Sequence, residues 1–175
     1  PFFFQLERIA PIRAGLIVED DLPAIARPDV SLVNNIAPAH LERMGSLQGV
    51  AETKGAIHDA LPADGVAVVN ADDSFAAYFI ERLHDRRVLR FGIGANADIH
   101  ARDIRIDAEG SRFVLVSPQG EVEVALPMAG RHNVANALAA ASMALAVGAS
   151  LAQVRAGLES VQPVAGRLVA HALRS

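Results

Sequence analysis

The sequence contains no cysteine, which excludes a disulfide scaffold, a cysteine nucleophile and any thiolate metal site. It contains no tryptophan and one tyrosine, and aromatic residues are 5% of the whole, too few for a base-stacking platform. No stretch reaches the roughly 18 apolar residues that a membrane span requires. An excess of positive charge is missing too: the formal net charge is -4, which argues against duplex nucleic acid as a partner. The opening residues, PFFFQLERIAPIRAG, carry Glu7 and Arg8 and lack a basic region ahead of a long apolar core, so they do not read as a signal peptide. Lysine is nearly missing as well. Of 16 Lys and Arg residues, Lys54 is the only lysine. Coding bias accounts for that count, yet it raises the question of what Lys54 does.

What is present is apolar material. Hydrophobic residues make up 51% of the 175 and charged residues 21%, enough for a folded core and too much for a disordered chain. The length suits one domain, or one and a part. The last residues, GRLVAHALRS, stop within an apolar alternation at Leu168, Ala170 and Ala172, which reads as a piece of something longer.

Residues 30–36, VSLVNNI, predict a buried strand. Residues 46–61 predict a helix capped by Ser46, with Leu47, Val50, Ala51, Ile57 and Leu61 as its apolar stripe. A turn at 62–65 leads to a second strand, 66–70. Asp72, Asp73 and Ser74 offer acceptors at the start of a helix over 74–84, with Phe75, Tyr78, Phe79 and Leu83 as its stripe. Residues 87–91 give a third strand. This rhythm implies an α/β fold, a mostly parallel sheet flanked by helices. Residues 98–106, 112–117 and 121–126 then alternate with period two, the last two around Pro118-Gln119-Gly120, and predict a small antiparallel β unit. An Ala-rich helix over 133–147 ends at Gly148, and Ser150 with Gln153 forms a capping box for a helix over 151–159.

Gly92-Ile-Gly94-Ala-Asn-Ala97 matches the dinucleotide fingerprint in spelling only. That motif needs a helix after it, and here a strand-like alternation follows, so a Gly-rich loop between sheets is expected. No G-x-x-x-x-G-K-[ST] occurs, so the chain carries no P-loop of its own.

Four constellations are candidates for chemistry. Asn34-Asn35-Ile-Ala-Pro38-Ala-His40 sits at the C-terminal end of a parallel strand, where open α/β sheets bind ligands. His40 there can ligate a metal, or be a surface-loop histidine. Lys54 falls on or beside the apolar stripe of its helix, where an ammonium needs a partner, a reaction with carbon dioxide, or a snorkelling path to water. His58, one turn on, reads as a neighbour only. Gly130-Arg131-His132-Asn133 with Asn136 opens a helix whose free N–H groups suit an anion or a polar heterocycle, and two carboxamides offer both donors and acceptors. The plainer reading makes Asn133 a cap and Asn136 solvated. Arg167, after the flexible Gly166, can clamp a phosphate or stand as a surface charge.

Together these residues resemble the central domain of the Mur ligases, cytoplasmic enzymes that join amino acids or peptides to the UDP-muramoyl precursor of bacterial peptidoglycan. The resemblance runs over residues 27–169. It is carried by Arg27-Pro28-Asp29, Asn34-Asn35, Pro38-Ala39-His40-Leu41-Glu42, Gly45-Ser46-Leu47, Gly49-Val50-Ala51, Lys54-Gly55, Asn70-Ala71-Asp72, Leu126-Pro127, Gly130 to Asn133, Asn136-Ala137-Leu138 and Gly166-Arg167-Leu168. Within the family, the Pro38-Ala39-His40 segment favours the type that adds D-alanyl-D-alanine to UDP-N-acetylmuramoyl-tripeptide.

The resemblance implies ATP and Mg2+ as cofactors and an acyl-phosphate intermediate. His40 is then a magnesium ligand, and Lys54 is the family's carbamylated lysine, whose added carboxylate helps hold a second magnesium. His132, Asn133 and Asn136 match the ATP-binding helix start, with Asn136 nearest adenine, and Arg167 matches an arginine that contacts the nucleotide. Residues 1–26 do not match the family pattern, Glu19 is not assigned as its metal-binding glutamate, and residues 170–175 read as the start of a C-terminal domain. The expectation is a fragment of a ligase, inactive alone, whose partners in the intact enzyme are nucleotide and UDP-muramoyl-peptide. The competing expectations are another ligase of the folylpolyglutamate synthase type, or a non-catalytic binding module that keeps the fold.

Overall fold

The protein is described by a computed structural model that covers residues 28–37, 46–94 and 96–162. Three strands, β1 (Val30–Val33), β2 (Val66–Asn70) and β3 (Arg87–Phe91), form a parallel sheet in the order β1-β2-β3. Val30 pairs with Val66 and Val66 with Arg87, so the strands start level and end together. Helices α1 (Leu47–Asp59) and α2 (Ala76–Leu83) are the two crossovers. A second sheet is antiparallel, β4 (His100–Ile106), β5 (Ser111–Ser117) and β6 (Gly120–Leu126). Helices α3 (Arg131–Ala146) and α4 (Leu151–Glu159) follow. The α/β class with a small antiparallel unit is therefore as the sequence predicts.

The central strand explains the layers. Side chains alternate across a strand, and β2 is apolar at every position but its last. Ala67 and Val69 face one cluster, with Val33, Ala51, Ile57, Leu61, Phe79 and Leu83 from β1, α1, its following turn and α2. Val66 and Val68 face the other, with Val30, Leu32, Phe91, Leu115, Leu126, Val134 and Leu138. The Ala-rich α3 thus closes the second face and joins the parallel sheet to the antiparallel one. Small residues let it lie close: Ala137, Ala141 and Ser142 are buried.

Several boundaries differ from the expected ones, each for a local reason. β1 ends at Val33 rather than running to residue 36, because side chains take over its backbone partners. Asn70 Nδ2 donates to the Asn34 carbonyl at 2.9 Å, and the Ile36 N–H donates to Asp73 Oδ2 at 2.8 Å. α2 starts at Ala76, not 74, because Asp73 Oδ1 accepts from the Phe75 N–H at 2.8 Å and makes a turn of the preceding residues. Leu47, counted in the stripe of α1, is 38% exposed. α3 begins at Arg131 with Gly130 as its cap. Gly130 takes φ +113°, a conformation that favours glycine. Both serine caps are present: Ser46 Oγ accepts from Gly49 N–H at 3.1 Å, and Ser150 with Gln153 forms the reciprocal box.

The Gly92–Gly94 loop leads into β4 rather than a helix, so the dinucleotide fingerprint is excluded. Its glycines serve a close approach instead. A Cβ on Gly92 would lie 2.9 Å from Asp72 Oδ1, while the Ile93 N–H donates to Asp72 Oδ2 at 2.6 Å. Among the described residues no helix is long and apolar enough to cross a membrane.

Candidate functional site

The C-terminal edge of the parallel sheet is built from three short polar segments that follow buried strands. Asn34 and Asn35 follow β1, Asn70 to Asp73 close β2, and Gly92 to Gly94 follow β3. Each segment leaves its strand because a side chain replaces a ladder partner. Asp72 and Asp73 spend their carboxylates on the backbone N–H groups of Ile93, Ile36 and Phe75. Asn70 Oδ1 accepts from the Asp72 N–H at 2.9 Å. The edge is therefore ordered by side-chain-to-backbone bonds that cross from one strand end to the next.

Two further elements reach this edge. Helix α3 starts beside it, with an N-cap glycine that supplies no side-chain bond. The first-turn N–H groups and the positive end of the helix dipole are thus free of a side-chain cap. Asn136, one turn in and half-buried, accepts at Oδ1 from Asn34 Nδ2 at 3.0 Å. Asn133 is not the cap; its Nδ2 donates to the Ala129 carbonyl at 2.8 Å and ties the helix start to the preceding loop. Asn136 is not simply solvated. His132 is exposed in the first turn. Helix α1 contributes Lys54, which is half-buried beside the apolar face and donates from Nζ to the Asn35 carbonyl at 3.1 Å. Its partner is a main-chain oxygen, and its stem runs up the helix flank to the strand end, as a snorkelling lysine does.

Of the predicted site residues, the structure brings Asn136 and Lys54 to one place, on the consecutive residues Asn34 and Asn35. His132 and Asn133 stand at the start of the same helix. His40 and Arg167 lie outside the described residues, and so do Glu19, Pro38 and Gly166. Among the described residues no group of three or more His, Asp or Glu side chains comes together to hold a metal ion.

The sequence reading gave Asp72 and Asp73 only as acceptors at the start of the following helix, as Asp73 is for the Phe75 N–H, and it did not foresee the bonds of Asn70, Asp72 and Asp73 to the neighbouring strand ends. The signal was available: a polar run, Asn-Ala-Asp-Asp-Ser, directly after a buried parallel strand. Nor did it anticipate His58. That side chain is 1% exposed, with Nδ1 at 2.6 Å from Ser31 Oγ and its ring edge-on to Phe79. Burial pushes its pKa from the usual 6.5 down to about 4; Asp59 opposes the shift and Arg82 adds to it. Next to it, Asp59 holds the Arg82 guanidinium at two points, and Arg82 also donates to the Tyr78 hydroxyl at 2.7 Å. This pairing holds the Asp59 carboxyl below its usual range. It lies at the other end of α1 from the site.

The class of fold is thus a parallel α/β layer joined through one helix to an antiparallel unit, with a carboxamide-lined strand edge. The family described as the Mur ligase middle domain matches residues 14–144. The UDP-N-acetylmuramoyl-tripeptide--D-alanyl-D-alanine ligase of Escherichia coli (strain K12) is 46% identical over 146 residues, covering 83% of this chain and 32% of that protein. Among solved structures, MurF from Acinetobacter baumannii superposes with a TM-score of 0.81 at 37% identity, covering 86% of this chain and 33% of that one. MurF ligase from Thermotoga maritima in complex with ADP gives a TM-score of 0.69 at 26% identity, covering 83% of this chain and 33% of that one. The chain belongs to the Mur ligase family, in its middle domain. It spans about a third of the length of the curated relatives it matches.

Proposed function

We propose that this chain is the nucleotide-holding part of an ATP-dependent ligase that joins D-alanyl-D-alanine to UDP-N-acetylmuramoyl-tripeptide in the cytoplasm. The observation that supports it is the convergence on Asn34-Asn35. One residue holds the carboxamide of α3, the other accepts from Lys54, so a nucleotide laid along this edge would meet both ends of the site. In this reading Asn136 reads the adenine edge, His132 and Asn133 line the start of α3, and Arg167 contacts the nucleotide. The uncapped first turn of α3 favours negative charge nearby.

Magnesium prefers oxygen ligands, and it takes one or two protein carboxylates together with phosphate oxygens. Lys54 as an ammonium is a donor only and does not fit. Its carbamate does: the neutral amine adds to carbon dioxide, loses a proton and gains an anionic pair of oxygens. We therefore assign Lys54, carbamylated, with His40, as the residues that hold magnesium, which would supply charge neutralisation at the phosphates. Lys54 Nζ lies at the strand edge against the Asn35 carbonyl, so a carboxylate added to it would lie at that edge.

The reaction in this reading transfers the γ-phosphoryl group of ATP to the substrate carboxylate. The amine of D-alanyl-D-alanine then displaces phosphate and forms the amide. No P-loop motif occurs in this chain, so the activity is proposed for the whole ligase and not for these residues by themselves. Incubation with isotope-labelled bicarbonate tests the Lys54 assignment without turnover. A carbamate carbon signal in the full-length ligase, lost in Lys54→Met, is the expected result. In the same protein Lys54→Met abolishes ADP release that depends on both substrates. A Lys54→Met enzyme with full activity would refute the reading.

A further inference from the structure

We infer that Asn34 is a positioning residue: it fixes which way the Asn136 carboxamide faces, and so sets base selection from the end of β1. The inference rests on the proposed role of Asn136 at the adenine edge. A carboxamide has two nearly isosteric orientations that exchange a donor for an acceptor. An asparagine that reads a base needs one of them excluded.

Two sets of bonds meet at Asn34, one on its main chain and one on its side chain. The Asp72 N–H donates to Asn70 Oδ1, which turns Asn70 Nδ2 toward the Asn34 carbonyl. That bond fixes the backbone of Asn34 where β1 ends. Asn34 Nδ2 then donates to Asn136 Oδ1 at 3.0 Å. The backbone N–H of Asp72 can only donate and so sets the Asn70 amide; the Asn70 bond then places the main chain of Asn34, and the sense of the Asn136 amide is set by the one bond it receives from Asn34 Nδ2. The Asp72 end is anchored as well, because Asp72 is held by the Ile93 N–H. Among the described residues Asn136 Nδ2 has no acceptor, and one lone pair remains on Oδ1.

This combination suits adenine, whose N7 accepts and whose 6-amino group donates. A 6-oxo purine places an oxygen against Oδ1 and is rejected. Aspartate at position 34 reverses the lock. It keeps the size and the main-chain carbonyl that Asn70 binds, but its carboxylate only accepts, so Asn136 must turn Nδ2 toward it. The donor for N7 is then lost.

The test compares ATP with inosine triphosphate, which carries oxygen in place of the amino group, by calorimetric binding to the full-length ligase that carries this segment. The wild type should favour ATP by about tenfold or more, the worth of one well-placed hydrogen bond with its repulsive alternative. Asn34→Asp should bring the ratio of the two affinities to near one. Its added charge weakens both nucleotides alike, so the ratio isolates orientation from electrostatics and from general loss of structure. Asn34→Ala removes the lock without the charge and should also lower the ratio, with a smaller loss of ATP affinity. Asn136→Ala is the control for the underlying reading. If it binds ATP like the wild type, that reading and this inference both fall. If it loses affinity while Asn34→Asp and Asn34→Ala keep the wild-type ratio, Asn136 reads the base without Asn34, and the inference alone is overturned.

Discussion

The two ends of the parallel sheet both carry polar clusters, and they are built differently. At the N-terminal end, Ser31 pairs with a fully buried His58, and Asp59 pairs with Arg82 and, through it, with Tyr78. These groups bind side chain to side chain, between α1, α2 and β1. At the C-terminal end, Asn34, Asn70, Asp72 and Asp73 bind mainly backbone groups of neighbouring strand ends, and they stay half-buried or exposed. The first arrangement closes on its own side chains, with His58 Nε2 buried and without a partner among the described residues and the Asp59–Arg82 pair partly exposed. The second fixes a rim and, among the described residues, leaves donors and acceptors over: the Asn136 Nδ2, the Arg131 and His132 N–H groups at the start of α3, and a Lys54 ammonium with two further hydrogens. Polar residues alone therefore do not mark a site in this fold. What distinguishes the rim is bonding capacity held in place and open to solvent, whereas the spare nitrogen of His58 is sealed in the core.

If that contrast is right, changes at the lower end act on stability and changes at the rim act on ligands. The largest effect is expected from Phe79→Ala. Phe79 is 2% exposed and packs against the His58 and Tyr78 rings. Its loss should destabilise the chain by about 3–5 kcal/mol in denaturant unfolding. A stable Phe79→Ala protein would break the account of the lower end.

The next effect is a pH dependence. The folded-state pKa of His58 is about 4, below the usual 6.5 of the unfolded chain. As pH falls, the unfolded state takes up this proton first. The stability contributed by neutral His58 is thus complete above about pH 6.5 and is lost on the way down to about pH 4, roughly 3 kcal/mol in all. Asp59 and Asp98 are lowered too, by their arginine partners, so the stability they contribute is lost only once pH falls into the ordinary carboxylate range and beneath it. Melting temperature measured across this range should therefore fall before the carboxylates titrate, and His58→Gln should flatten that upper part of the curve. An unchanged slope in His58→Gln would contradict the assignment.

Smaller effects sharpen the contrast further. Arg82→Ala opens a pair that is partly exposed, with side-chain exposures of 28% and 49%, and should cost about 1 kcal/mol or less by chemical denaturation. Lys54→Met should change stability by less than about 0.5 kcal/mol, because the apolar stem that packs on α1 is retained. A large loss of stability in Lys54→Met would mean that Lys54 is a structural group, and that the rim is built like the lower end after all.

The sequence announces this contrast unevenly. β2 and β3 are legible to the residue, β2 as the continuous apolar run of a parallel strand buried on both faces, β3 as a short apolar run interrupted by the exposed Arg87 and Arg90. The two serine caps are legible because their chemistry is local. The end of β1 is not, since Asn34 to Ile36 leave the strand for partners on Asn70 and Asp73, 36 and 37 residues away. The same holds for the site. The position of Lys54 beside an apolar stripe can be read from helical spacing. Its partner, the Asn35 carbonyl, cannot, and neither can the bond between Asn34 and Asn136 across 102 residues of chain. His58 reads as a bystander because a single histidine near a helix end carries no sign of a serine packed against it from another strand. Long-range pairing is what a linear pattern omits, and here it is what separates the rim from the lower end.

The central claim is that the rim holds a nucleotide while the lower end holds the fold. The most direct measurement is ATP binding by calorimetry, in the presence of magnesium, to the full-length ligase carrying this segment and to its Asn136→Ala variant, with melting temperatures taken alongside. The account predicts at least a tenfold loss of affinity with the melting temperature unchanged, since one half-buried amide at a helix surface contributes little to stability. Equal affinity in the two proteins would contradict it and would place the nucleotide away from this edge.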